Sequence, residues 1–299
     1  MSRNAMVRGS IVALVTPFDD AGDVNFDMLG QLLDFHIEHK TDGILILGTT
    51  GESSTLSHDV DDDVVRFCVS HVDGRCPLIF SAGSNCTKES ADKCRRYEAE
   101  GATTALVITP YYNKASDAGM QAHFETIAEA SDLDLILYNV PSRTGCAISP
   151  AVAERLSQVP TIRGMKEASG NMGYMSDIAH LAGPDFSIYS GNDDIVVPML
   201  SMGATGVISV AANIIPDQMH EMVASYLAGD VALARDLQVR YLDLIHALFC
   251  EVNPIPVKEA MRQLGMDVGG YHLPMCDPTP EHKARIAAAL AAAGLTKED

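Results

Sequence analysis

Residues 11–24 read Ile-Val-Ala-Leu-Val-Thr-Pro-Phe-Asp-Asp-Ala-Gly-Asp-Val, and this stretch separates two folds. The apolar, β-branched run from Ile11 to Val15 predicts a strand buried on both faces, as strands are in a parallel sheet. An open, doubly wound sheet with a nucleotide site needs a glycine-rich turn directly after that strand, where bare backbone meets phosphate. The turn here, TPFDDAGDV, contains neither G-x-G-x-x-G nor G-K-[ST]. The open-sheet reading therefore gives way to a closed one.

Working outward, similar short runs recur at intervals of roughly 20 to 35 residues, each followed by a polar loop and a helix-like stretch. They are Ile11 to Val15, Ile44 to Leu47, Leu78 to Ser81, Ala105 to Thr109, Leu135 to Tyr138, Ile162 to Lys166, Phe186 to Ser190 and Val207 to Val210. Eight βα units predict an α/β fold of the TIM (β/α)8 barrel type. Between them, Phe26 to His39, Asp59 to Val72, Ser90 to Glu100, Met120 to Ala130, Pro150 to Ser157 and Met172 to Leu181 carry helical periodicity. Several open on Ser, Asp or Pro, as helix starts do. After the eighth strand the alternation stops. Pro216 to Leu227, Val231 to Phe249, Ile255 to Leu264 and Pro280 to Ala293 read as successive helices, the first closing the barrel. The expected division is a catalytic barrel over residues 1–229 and a C-terminal helical extension over 230–299.

With 47% hydrophobic and 20% charged residues in 299, the chain can bury a large core. Its 40 acidic residues against 21 basic ones give a net charge of -19. Such a field repels phosphate backbones and anionic lipid, so neither nucleic acid nor a membrane is expected as a partner. The seven cysteines form no C-x-x-C pair and are scattered over a long chain, as reduced thiols of a cytoplasmic protein would be. The start superficially resembles a signal peptide but lacks a small-residue cleavage site and reaches Pro17 too soon. Met6 is read as the natural start, with the residues before it an addition. No segment is long and apolar enough to span a bilayer.

Catalytic groups of such barrels sit at the C-terminal ends of the strands and on the loops that follow. That position selects Thr49, Thr50 and Glu52 in GTTGES, Tyr111 and Tyr112 in TPYYN, Tyr138 and Arg143 in YNVPSRTG, and Lys166 in GMKEASGN. Lys166 ends an otherwise apolar strand, where desolvation disfavours an ammonium and favours a neutral amine, a nucleophile toward carbonyls. The alternative is a strand-end lysine that reaches to solvent or pairs with Glu167. Schiff-base chemistry needs a proton shuttle, and the hydroxyl of Tyr138 at the neighbouring strand end can serve; otherwise its ring simply packs in the barrel mouth. Tyr111 and Tyr112 cannot both point inward from one short loop, which leaves one to face a partner subunit. Arg143 offers a planar fork for a carboxylate, and the Gly48–Gly51 turn offers N–H groups and hydroxyls for another, so the implied substrate is an anionic keto acid. The ten histidines show neither H-x-H nor H-E-x-x-H at a strand end, so no metal site is expected, and most are read as helix-surface residues.

These residues lie in ordered blocks, GSIVALVTPF, GTTGES, VITPYYN, ILYNVPSRTG, GMKEASGN, YSGND, GATGVISV and EVNPIPVKEAM. Over nearly the whole chain the blocks resemble the dihydrodipicolinate synthase family of pyruvate-dependent class I aldolases. The resemblance implies a homotetramer, a dimer of dimers, that condenses pyruvate with L-aspartate 4-semialdehyde on the route to diaminopimelate and lysine, without a cofactor. It implies that Lys166 forms the Schiff base, that Tyr138 is the acid/base, and that Thr49 and Tyr112 complete a proton relay. Tyr111 matches a tyrosine inserted into a neighbouring subunit's site. Arg143 matches the arginine for the semialdehyde carboxylate, Thr50 the threonine for the pyruvate carboxylate, and Gly191 and Ile208 positions lining the pyruvate pocket.

Some relatives are inhibited by lysine, and Ser53, Ser54, His58, Asn85, Glu89 and Tyr111 match that allosteric site. Asp61 departs from the pattern, standing where regulated relatives often carry histidine. The competing reading is another member of the superfamily, an N-acetylneuraminate lyase or a keto-deoxy sugar acid aldolase; GTTGES, the tyrosine pair and PSRTG favour the synthase. A catalytically idle barrel acting as a scaffold is disfavoured because no proposed catalytic position is lost.

Overall fold

The computed structural model describes residues 5–296. The residues read as an addition ahead of Met6, apart from Ala5, and the tail lysine Lys297 lie outside this range. Eight parallel strands close a barrel in sequence order: β1 (Gly9–Ala13), β2 (Gly43–Ile46), β3 (Leu78–Ser81), β4 (Thr104–Ile108), β5 (Asp134–Asn139), β6 (Ile162–Glu167), β7 (Ser187–Ser190) and β8 (Gly206–Ser209). Closure runs from β8 to β1, with Gly206 opposite Gly9. A Cβ on Gly206 would lie 2.0 Å from the Gly9 carbonyl oxygen, so only glycine lets the two strands approach there. The apolar reading started β1 at Ile11 and missed this closing pair, because Gly9 and Ser10 carry no apolar signal.

The helices are α1 (Phe26–Glu38), α2 (His58–Val72), α3 (Thr87–Ala99), α4 (Asp117–Ala128), α5 (Pro141–Thr144), α6 (Pro150–Leu156), α7 (Met172–Ile178), α8 (Val196–Ser201), α9 (Pro216–Leu227), α10 (Val231–Ala247), α11 (Ile255–Gln263) and α12 (Pro280–Ala292). Asn25, Ser57, Ser116, Ser149, Asn171, Asp230 and Thr279 cap seven of them, each side chain accepting from a backbone N–H of the first turn. Helices α3 and α4 begin three residues before the expected Ser90 and Met120, since the first helical turn is polar and invisible to apolar periodicity. The expected helix over Met172 to Leu181 is α7 followed by a 3-10 turn, Ala179–Leu181. The short α5 and α8 were not expected; four and six residues are too few to show a period.

Two cores result. One fills the barrel, with Ile11, Leu45, Ile79, Leu106, Ile136, Tyr138, Tyr189 and Ile208 among its residues. The other lies between strands and helices. Helix α9 packs on β1 and β8, and α10 packs on α9, α8 and α12, so the C-terminal helices extend the helical ring. A bulge in β6 decides which core receives Lys166. Leu135 pairs with Ile162 but Ile136 pairs with Gly164, so one extra residue sits in β6. Ile162 and Met165 consequently both face the helices although they are three residues apart.

Candidate active site

Beyond the bulge, Tyr138 of β5 and Lys166 of β6 are register partners. Both side chains point into the barrel mouth, and Lys166 Nζ lies 4.5 Å from the centre of the Tyr138 ring. Lys166 is only 6% exposed, so it does not extend to solvent. Nor does it pair with Glu167. Adjacent strand residues face opposite ways, and Glu167 turns outward, accepting from Asn139 Nδ2 and from the Ser169 N–H, each at 2.6 Å. Burial pushes the Glu167 carboxyl up, against the bonds from Ser169 and Asn139 that pull it down.

Lys166 and Tyr138 line a cavity of about 190 Å³ together with Thr49, Thr50, Arg143, Gly191, Val210 and Asn253. A space of this size suits a very small ligand. A wider chamber of about 450 Å³ continues outward over Thr49, Tyr138, Arg143 and Asn253 to Tyr111, Ser53, Ser54, His58 and Glu89. Small molecule and second reactant thus have contiguous places, with Arg143 at the junction.

The loops hold these groups in specific ways. The helix α5 begins at Pro141 and ends at Gly145, whose φ of 70° suits glycine, and this single turn carries Arg143. Arg143 Nη2 donates to the Asn253 carbonyl at 3.3 Å. Behind the cavity Asp193 is buried, its Oδ2 accepting from the N–H groups of Val210 and Ala211, both at 2.9 Å. Burial pushes its carboxyl up; the Ala211 and Val210 amides and the charge of Lys166 act the other way. Among the described residues no three His, Cys, Asp or Glu side chains converge to hold a metal ion.

Most of the expected site residues meet in these two chambers, and three do not. Ile208 is buried in the barrel core below the small cavity, and Val210 takes the lining place. Asn85 is not part of the chamber wall; its carbonyl accepts from Asn113 Nδ2. Tyr112, at φ 70°, is 90% exposed and points away from its own chain's cavity, whereas Tyr111 lines the outer chamber. Asp61 forms a buried ion pair with Lys93 at 2.7 Å on the same wall. His36 and His123 are buried, unlike the surface histidines expected.

Three groups near the mouth were missed: Asn253, Asp193, and the buried pair of Lys258 with Glu52, 2.9 Å apart. Glu52 had been singled out only for its place after β2. The blocks EVNPIPVKEAM and YSGND contain the others, but neither has a local pattern that points across the barrel.

A model of the dihydrodipicolinate synthetase family matches residues 6–293. The chain is 49% identical over 283 residues to the 4-hydroxy-tetrahydrodipicolinate synthase of Caldicellulosiruptor saccharolyticus, covering 95% of this chain and 96% of that one. The dihydrodipicolinate synthase of Acinetobacter baumannii, solved as a complex with pyruvate, is 39% identical with a TM-score of 0.94, covering 97% of this chain and 100% of that one. The DHDPS of Cyanidioschyzon merolae, solved with lysine bound, is 38% identical, also at 0.94, over 97% and 99%.

Proposed function

Because this chain belongs to the dihydrodipicolinate synthetase family, we propose that its barrel mouth condenses pyruvate with L-aspartate 4-semialdehyde through a Schiff base on Lys166. The chain is a lyase of the lysine and diaminopimelate route, and its curated relatives are named 4-hydroxy-tetrahydrodipicolinate synthase. The observation that carries the site assignment is the buried Lys166 over the Tyr138 ring in a small cavity of about 190 Å³.

The Lys166 amine adds to the pyruvate ketone, and the Tyr138 hydroxyl passes the proton that lets water leave. The imine loses a methyl proton to become an enamine, whose carbon attacks the aldehyde held in the outer chamber. Thr50 donates to the pyruvate carboxylate and Arg143 to that of the semialdehyde. The acceptor's own amine then attacks the imine carbon, closing the ring and releasing Lys166. Thr49 lines both chambers, as Tyr138 does, and is the next member of the proton path. Gly191 leaves room at the cavity wall, where a Cβ would lie 2.5 Å from the Cβ of Ala168.

Borohydride added with pyruvate is expected to fix a reduced pyruvyl group on the peptide bearing Lys166, and Lys166→Ala to abolish it together with turnover. An adduct on another lysine sinks the assignment. The sugar-acid aldolase alternative is not favoured by the names of the relatives.

Three finer readings belong to the same proposal. Because Tyr111 lines its own chain's outer chamber and Tyr112 is exposed, the tyrosine that enters a second copy, within a homotetramer, is Tyr112 rather than the Tyr111 that the resemblance implies, and there it completes the relay. The enzyme works in the cytoplasm, its seven cysteines free. The outer chamber takes lysine, its ammonium met by Glu89, whose Oε1 lies 3.8 Å from His58 Nε2. Inhibition by millimolar lysine tests this last reading; an unchanged rate dismisses it.

A further inference from the structure

Two side chains of the C-terminal helical region reach back to the loop after β2. Asn253, just before α11, is buried and donates from Nδ2 to Thr50 Oγ1 at 3.0 Å. Lys258, on α11, is fully buried and donates from Nζ to Glu52 Oε1 at 2.9 Å and to the Gly270 carbonyl at 2.7 Å. The loop they grip has non-glycine residues with positive φ at both ends, 58° at Leu47 and 53° at Glu52. Side chains disfavour that region, so such a loop persists only where its surroundings over-determine it.

The bond to Thr50 has a direction. With its NH2 turned to Thr50 and its Oδ1 left without a partner among the described residues, Asn253 can only donate there, so Thr50 Oγ1 accepts and keeps its own proton. Among the described residues that hydroxyl has no protein acceptor. Thr50 lines the cavity of Lys166, so the proton is free for an acceptor inside it. Were residue 253 an acceptor, the hydroxyl would turn toward it and offer lone pairs to an anion instead. The carbonyl of the same residue holds Arg143 at 3.3 Å.

We propose that Asn253 is a positioning residue of the pyruvate subsite, contributed by the C-terminal region: by occupying the acceptor side of Thr50 Oγ1 it aims that hydroxyl as a donor into the cavity. This rests on the reading of Thr50 as the pyruvate carboxylate ligand. Lys258 and Glu52 hold the other end of the loop.

A double-mutant cycle on the full chain tests it, with Asn253→Ala, Thr50→Val and the double variant measured for KM of pyruvate, kcat and borohydride trapping at limiting pyruvate. Each single change is expected to raise the pyruvate KM about tenfold, the value of one lost hydrogen bond, with kcat changed far less. The double variant is expected to be no worse than Thr50→Val, because a residue that acts through Thr50 has nothing left to position. Asn253→Asp, which keeps the shape and removes the donor, is expected to leave the KM raised, and it carries the test if Asn253→Ala does not fold. Overturning results are an unchanged KM in Asn253→Ala, effects that multiply in the double variant, or an Asp side chain that restores the wild-type KM. If Thr50→Val itself leaves the KM unchanged, the reading of Thr50 fails and the proposal with it.

Discussion

The Nζ of Lys166 lies over the face of the Tyr138 ring, 4.5 Å from its centroid, and the two residues are directly paired across β5 and β6. A ring face attracts a cation, so the geometry favours the positively charged imine once it forms. The same tyrosine also carries a hydroxyl, and its side chain lines both chambers. Ring and hydroxyl therefore make separable contributions. Tyr138→Phe keeps the first and loses the second, and is expected to lower kcat by about 10²- to 10⁴-fold. Slow borohydride trapping should still occur at saturating pyruvate. Trapping at the wild-type rate would remove Tyr138 from the proton path.

Arg143 stands at the junction of the two chambers. Losing its charged hydrogen bonds costs roughly 1.5–3 kcal/mol. Arg143→Ala is accordingly expected to raise the KM for L-aspartate 4-semialdehyde by about ten- to a hundredfold and to leave that for pyruvate within about twofold. Steady-state kinetics varying each substrate in turn checks this. An effect confined to pyruvate would exchange the two carboxylate assignments.

Glu52 and Lys258 form a buried pair, with Lys258 Nζ over the rings of Phe18 and Tyr271. Burial pulls the Lys258 ammonium down, and the Glu52 carboxylate opposes that shift. Removing one partner strands a buried charge, at a cost of about 3–5 kcal/mol, while removing both costs less. Urea denaturation of Lys258→Met, Glu52→Gln and the double variant is expected to rank the double above either single. Additive losses would mean that the two side chains are not coupled.

His36 is fully buried, with Nδ1 at 3.0 Å from Thr41 Oγ1 and Nε2 without a partner among the described residues. Burial, helped by the charge of His39, lowers its pKa to about 3. The unfolded chain therefore binds a proton near pH 6.5 that the folded chain refuses until about pH 3. Stability is fully present above the unfolded value and falls as pH drops through that window, by on the order of 3 kcal/mol at pH ~4. His123, lowered to about 4 by burial, acts in the same direction. Denaturation midpoints across this range should show the loss, and His36→Leu should flatten it. An equal slope in the variant would show that other groups carry the acid sensitivity.

Tyr112 is 90% exposed among the described residues, a large ring with almost none of them over it. Placed in a partner's site, it is an anchor of the kind whose truncation costs ~2 kcal/mol or more. Sedimentation velocity is expected to show a homotetramer, with Tyr112→Ala losing activity. A wild-type chain that sediments as an active monomer would end both the tetramer and the relay assigned to Tyr112.

The sequence by itself determined the number and order of the barrel strands, because a strand covered on both faces must be continuously apolar and such runs are legible from Ile11 to Val210. It also determined which residues stand near strand ends, including Lys166 and Tyr138, with Thr50 in the loop after β2, since a lone charged or hydroxyl side chain closing an apolar run is visible locally. Only the tertiary structure decided which way they face. The alternation of a regular strand would put Lys166 on the same side as Ile162, against the helices; one extra residue in β6, opposite the step from Leu135 to Ile136, turns it into the mouth. Contacts that cross the chain were equally illegible. Asn253 meets Thr50 and Lys258 meets Glu52 across more than 200 positions of sequence, and no local pattern encodes a hydrogen bond whose two ends are set by elements so far apart in the chain.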